Sequence, residues 1–269
     1  MMEKKSSQDK FGKPYRFECT QCGRCCRDKS TMVNLTYVDI LRLAKALNQD
    51  YDKLIDSIGF YIFQEGVSDE NLDKMVIPPI ETQRGLAFVA LRKEADGACI
   101  FLKNDNTCSI YEHRPNICRT FPFHFDAKAK NQPQNEIKIT MSYTEKAKQY
   151  CLGVGVPNPV VDAEKWMKIG RKTVRNIVEE AAIIEKWNKA VESGKITPKA
   201  ENYIKNIIRS KLRPGKRQKL KQNQKRKTPR KNTKRSSVSI NANRKETKKS
   251  WKQIAQEKLN KEKGQKNKK

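Results

Sequence analysis

The sequence predicts an α+β fold: a small, irregular, cysteine-rich metal-binding domain, then two helices, then a disordered basic tail. Three observations predict it. All eight cysteines fall between Cys19 and Cys151. Apolar residues recur at three- and four-residue spacing after Val161, which is the period of an amphipathic helix. Residues 209–269 hold 25 Lys/Arg against 3 Asp/Glu, so the net charge of +28 belongs mostly to the C-terminal end.

Four segments follow. Residues 1–15 are polar and read as a flexible N-terminus. Residues 16–158 form the cysteine-cluster domain. Its tight run, Cys19, Cys22, Cys25 and Cys26, reads as a loop around Gly23. Thr36 and Asp39 make a capping-box-like start to a helix whose apolar face is Ile40, Leu41, Ala44 and Leu47. A second short helix is expected from Asp50 to Ile58. Met75–Ile77 and Leu86–Leu91 read as short strands, the first stopped by Pro78 and Pro79. Asp96-Gly97 signals a turn into a brief strand at Cys99–Leu102, and Asn104–Asn106 turns the chain back to Cys108. Residues Ile137–Tyr143 read as a further strand.

Residues 159–211 are the helical extension. Val174, Ile177, Val178, Ala181, Ile184 and Trp187 mark a long helix that ends near Ser193-Gly194. Trp166 and Ile169 would extend it upstream. Gly170 argues against that extension, because a glycine inside a helix costs about 1 kcal/mol relative to alanine. Thr197 and Pro198 read as the N-cap and first residue of another helix, with Tyr203, Ile204, Ile207 and Ile208 on its apolar face. The two helices are expected to pack on the cysteine domain or on each other. Residues 212–269 are rich in Lys, Arg, Gln, Asn, Ser and Thr; too little apolar surface is present to offset ordering entropy. Trp251, Ile254, Ala255 and Leu259 could form a helix too short to be stable alone.

Composition bounds the setting. The start of the chain has no apolar stretch of the secretory type, and no apolar run approaches the roughly 18–20 residues that span a bilayer. A cytoplasmic protein without membrane contact is expected. Thiols stay reduced there, so clustered cysteines read as metal-binding or catalytic rather than as disulfides.

Thiolates suit zinc and iron–sulfur clusters. The C-x2-C-x2-C spacing of Cys19, Cys22 and Cys25 is that of thiolates wrapped around one corner of an iron–sulfur cluster, with a fourth ligand arriving from afar. A [4Fe–4S] cluster is therefore favoured over zinc. The second cohort, Cys99, Cys108, Cys118 and Cys151, lacks the second C-x2-C knuckle of a zinc ribbon. Cys25 and Cys26 are adjacent, and neighbouring side chains of an extended chain point to opposite faces, so the two should not share one tetrahedral metal. Two counts remain open. One has two centres: Cys19, Cys22 and Cys25 with one remote cysteine, and Cys26 with the other three. The other has a single cluster with four spare thiols. His113 and His124 are further candidate ligands, but eight thiolates already suffice. Arg114 and Arg119 flank Cys118. They would either neutralise thiolate charge or hold an anionic cofactor or substrate beside the metal. Phe101, Tyr111, Phe121 and Phe123 would wall the site from water or simply form core.

Together the segments Phe17 to Cys26, Gly97 to Leu102, Cys108 to Tyr111 and Arg114 to Phe123 resemble the CxxCxxCC (YkgJ-type) cysteine-cluster family. The resemblance spans about residues 17–155 and includes the block Ile110-Tyr111, Arg114-Pro115 and Cys118-Arg119. It implies a zinc- or iron-chelating domain with Cys19, Cys22, Cys25, Cys26, Cys99, Cys108, Cys118 and Cys151 as ligands. Flagellin lysine N-methylase belongs to the same family, which makes a metal-dependent enzyme the alternative. A third reading gives the metal a structural role only, with RNA, DNA or the ribosome bound through residues 212–269. Such binding would be salt-sensitive and indifferent to sequence.

Overall fold

The computed structural model describes residues 12–48, 50–62, 75–127 and 138–211. The basic tail, its candidate helix at Trp251 and the first eleven residues lie outside them.

The chain alternates short helices and antiparallel strands, as expected of an α+β fold. The cysteine run closes in a single helical turn, α1 (Arg24–Arg27), rather than an open loop. Next comes α2 (Tyr37–Ala46), whose capping box is complete: the Asp39 amide donates to the Thr36 hydroxyl, and the Asp39 carboxylate accepts the Thr36 amide. Helix α3 (Tyr51–Asp56) is capped by Asp50 but stops before Ile58. Ile58 instead opens β1 (Ile58–Ile62), a strand the sequence reading missed. Three strands make one sheet in the order β1–β3–β2, with β2 (Ile80–Thr82) and β3 (Gly85–Leu91) joined as a hairpin. The register pairs Ile58 with Leu91 and Ile80 with Ala87. The expected strand at Met75–Ile77 is absent, and pairing begins only after Pro78 and Pro79. The proline before it cannot donate to a ladder, so the hairpin starts where donors return.

Cys99–Leu102 is not a strand either. Two isolated bridges, Lys93 with Cys99 and Leu102 with Cys108, hold this stretch as two tight turns. A short 3-10 turn at Tyr111–His113 leads to α4 (Asn116–Thr120), which carries Cys118. β4 (Phe123–Ala127) then pairs with β5 (Ile139–Tyr143) from Phe123–Tyr143 to Ala127–Ile139. α5 (Glu145–Tyr150) follows and is capped at its end by Cys151.

The long helix α6 runs from Ala163 to Glu192, so the upstream extension is real. Gly170 is there because the helix meets the second sheet closely: a Cβ would lie 2.3 Å from the Phe125 ring. α7 (Ala200–Lys211) begins at Ala200, not at Thr197-Pro198. The Pro198 carbonyl instead accepts the Gln83 amide, which ties the inter-helix turn to the β2–β3 hairpin.

Two cores result. The larger contains Leu35, Ile40, Leu54, Ile80, Ile184, Trp187, Tyr203 and Ile204. The smaller gathers Tyr15, Phe123, Ile139, Met141 and Met167. Tyr15 falls in the stretch read as flexible, yet it is buried, and its hydroxyl donates to the Met141 carbonyl at 2.5 Å. Helix α6 contributes to both cores, and Cys99 and Cys108 pack against the larger one. Glu180, fully buried on α6, accepts the Tyr203 hydroxyl of α7 at 2.5 Å and the Tyr37 amide of α2 at 2.6 Å.

Candidate metal centre

All eight cysteines line one cavity of about 640 Å³. All are free thiols; Cys19 and Cys25 are exposed and the other six half-buried. They ring the cavity rather than meet at a point: among the described residues, no three cysteine, histidine or acidic side chains already converge on one ion position. The donor set suits a soft metal, since thiols alone supply more than four ligands.

Each remote cysteine is fixed by its own hydrogen bonds. The Cys99 amide donates to the Cys26 carbonyl at 2.8 Å. Cys108 sits on the turn whose Asn106 side chain accepts from Arg27 of α1 at 2.9 Å. Cys118 depends on Asp39. That buried carboxylate accepts the Asn116 amide at the start of α4 at 2.8 Å and the Arg42 guanidinium at 2.9 Å. Arg42 also donates to the Asn116 side chain at 2.7 Å. Cys151 follows α5, and α5 is strapped to α1 through Asp28. The Asp28 carboxylate accepts from Lys146 at 2.6 Å, Thr31 at 2.5 Å and Tyr150 at 3.1 Å. Just beyond Cys151, the Glu18 amide donates to the Gly153 carbonyl at 3.0 Å. No side chain fits at Gly153, because a Cβ would lie 2.0 Å from the Glu18 carbonyl oxygen.

Cys25 and Cys26 correct one expectation. They sit in a helical turn, not an extended strand, and their sulfurs are 3.9 Å apart. Successive residues of a helix lie about 100° apart around the axis, so adjacent thiols can face one space.

The electrostatics favour a cation. The hydrogen bond between the Cys25 and Cys26 thiols brings the Cys25 pKa down to about 7 against the opposing effect of burial; Arg114 adds to the lowering. Cys26 is pushed far up, first by that same hydrogen bond, then by burial and by the neighbouring thiols. Burial raises Cys118 well above the usual thiol range, and the charges of Cys99, Cys25 and Cys108 add to it. Cys99, Cys108 and Cys151 are likewise raised, first by burial. Eight thiols in one cavity cannot all ionise without positive charge among them, and a bound metal supplies it.

The two arginines play different parts. Arg114 donates from Nε to the Tyr111 carbonyl at 2.8 Å, and its guanidinium lies over the Tyr111 ring at 3.5 Å. Arg119 is exposed at the cavity edge. His124 also lines the cavity and pairs with Asp126 at 2.8 Å, whereas His113 lies on the 3-10 turn outside the lining. Sequence reasoning missed Asp28, Lys146 and Asn116. Asp28 could have been noticed as an acid directly after the cysteine run, with hydroxyls following at Ser30 and Thr31.

Comparison with known proteins agrees with this geometry. Residues 18–152, half of the chain, match the family model described as "CxxCxxCC: Putative zinc- or iron-chelating domain". An uncharacterized protein of Methanocaldococcus jannaschii, MJ0661, is 26% identical over 194 residues, covering 71% of this chain and 87% of its own. That likeness is longer than the family segment, so it reaches beyond the cysteine region. No solved structure matches the chain. With the four cysteines of the motif and the four others of the matched span around one cavity, the chain belongs to the CxxCxxCC family of zinc- or iron-chelating domains.

Proposed function

We propose that the protein binds an iron–sulfur cluster through Cys19, Cys22 and Cys25, with Cys151 as the distant fourth ligand. The observation that carries the reading is the convergence of all eight thiols on one cavity. Support for Cys151 as the fourth ligand is that its thiol lines the same cavity and feels the charges of Cys22, Cys25 and Cys19, whereas Cys108 feels only Cys25 and Cys19 of that run. Cys26, Cys99, Cys108 and Cys118 then make a second four-thiol set. Cys26 feels Cys25, Cys118 and Cys99, and Cys118 feels Cys99, Cys25 and Cys108, so Cys25 stands at the junction of the two sets.

One distance favours zinc instead. In a tetrahedral site with Zn–S near 2.3 Å, two sulfurs stand about 3.8 Å apart. The Cys25 and Cys26 sulfurs are 3.9 Å apart. In a [4Fe–4S] cluster each thiolate binds a different iron, and the thiolates stand farther from one another.

Anaerobic purification separates the readings. Iron with acid-labile sulfide, and a broad visible absorption that bleaches with dithionite, supports the cluster. A colourless protein with stoichiometric zinc and no sulfide supports zinc. Protein with neither metal overturns both.

The tail has its own proposed partner. Residues 209–269 carry a net +22 in charge, which suits contacts to the phosphates of RNA or DNA, free or in the ribosome. This role is separate from the metal.

A further inference from the structure

We propose that the cavity also holds a small organic anion with an apolar body, seated beside the metal with its acid group on Arg119. The proposal rests on the metal reading, since the ligand would share the metal's cavity.

Three observations carry it. The first is size and lining. At about 640 Å³ the cavity is in the range of small-molecule sites. Away from the thiols it is walled by Phe121, Phe125, Trp166 and Val174, side chains that offer a metal nothing. The second is the state of the two arginines. Arg114 is engaged by the Tyr111 carbonyl and ring. Among the described residues the Arg119 guanidinium has no partner. The third is that, among the described residues, no carboxylate forms an ion pair with Arg119, although the exposed Glu18 also lines the cavity. The nearby buried carboxylate, Asp39, is occupied by Arg42 and Asn116. The charge of Arg119 bears on Arg42 as a repulsion. A mostly apolar cavity with one uncommitted guanidinium at its edge fits a carboxylate, sulfonate or phosphate on an aromatic or aliphatic body.

The test uses the full chain, purified anaerobically, with metal content measured on every sample. Two fluorescent probes share one aromatic body: 8-anilinonaphthalene-1-sulfonate, which is an anion, and N-phenyl-1-naphthylamine, which is neutral. The metal-loaded protein should bind the anion at least about tenfold more tightly, the contribution of one charge-assisted hydrogen bond. Arg119→Ala should remove that preference, and Arg119→Lys should restore part of it. Each variant carries the same basic tail, so any probe held by the tail cancels in the comparison. Metal content and melting temperature should not change in either variant. Metal-loaded protein that binds neither probe, or an Arg119→Ala variant with undiminished preference, overturns the proposal. Protein that purifies anaerobically with no metal overturns the metal reading, and if it still prefers the anion through Arg119 the anion site stands without it.

Discussion

The Cys99 amide donates to the Cys26 carbonyl at 2.8 Å, so a remote thiol is bound to the tight run by main chain alone. A change of side chain at either position leaves that tether intact. Cys99→Ser should therefore lose metal without losing the turn. Metal per chain should fall, and the melting curve should move toward that of metal-stripped protein, because metal binding is coupled to folding. Cys118→Ser should behave alike. Full metal content and an unchanged melting curve in both variants would end the metal reading.

Asp39 governs Cys118 from a distance. Its buried carboxylate receives the Asn116 amide and the Arg42 guanidinium. Asp39→Ala leaves the Asn116 amide without its acceptor and Arg42 without its carboxylate, with only the Asn116 side chain to accept from it, and should cost about 3 kcal/mol in urea unfolding, the scale of a broken buried ion pair. Metal content should fall as α4 loosens. Conservation of both quantities in the variant would show that α4 is held by packing instead.

Cys25 is the thiol to react first in metal-free protein. The hydrogen bond from Cys26, against the effect of burial, brings its pKa to about 7. Alkylation by iodoacetamide, read peptide by peptide, should reach half its maximal rate near pH 7 at this residue. Cys26→Ala removes the donor, so the Cys25 rate at neutral pH should drop, because less thiolate is present. An unchanged rate would mean that Cys26 does not donate.

Acid should release the strap between α1 and α5. Burial pushes the Asp28 carboxyl up, but hydrogen bonds from Lys146, Thr31 and Ser30 outweigh it and hold the pKa well below the usual carboxylate range. A lowered folded pKa means stability that is present above about pH 4 and lost as pH falls from there toward the folded value. Asp28→Asn should be less stable than the parent at neutral pH and should converge on it in acid. Parallel pH curves for the two proteins would exclude this role.

Removal of residues 212–269 should leave metal content unchanged and abolish most binding to an RNA oligonucleotide. The full chain should bind less as salt rises, because each neutralised phosphate releases counterions. Truncated protein that binds as tightly, or full-chain binding indifferent to salt, would move the surface onto the folded body.

Much of this was legible in the sequence. The capping box at Thr36 and Asp39, the strand ending at Leu91 and the long helix are local patterns, and local patterns are what periodicity reports. The eight thiols were visible as a set because all of them fall between Cys19 and Cys151, four in a tight run with the spacing of metal ligands. What stayed hidden was non-local. β1 needs β3 as its partner, and nothing within Ile58–Ile62 states that. The face of Cys26 depended on a helical turn four residues long, too short for any period to show. Asp28 looks like any surface acid until Lys146 arrives from more than a hundred residues away.

The thirty residues of α6 extend about 45 Å at 1.5 Å per residue. One end is fixed by Met167 in the smaller core and the other by Ile184 and Trp187 in the larger. Helix α6 therefore ties the two cores together. A substitution at Gly170, where a Cβ would lie 2.3 Å from the Phe125 ring, should displace either that ring or α6, and both Phe125 and Thr173, Val174 and Ile177 of α6 line the cavity. Metal affinity in this protein can thus be tuned, or lost, by changes that come nowhere near a sulfur atom.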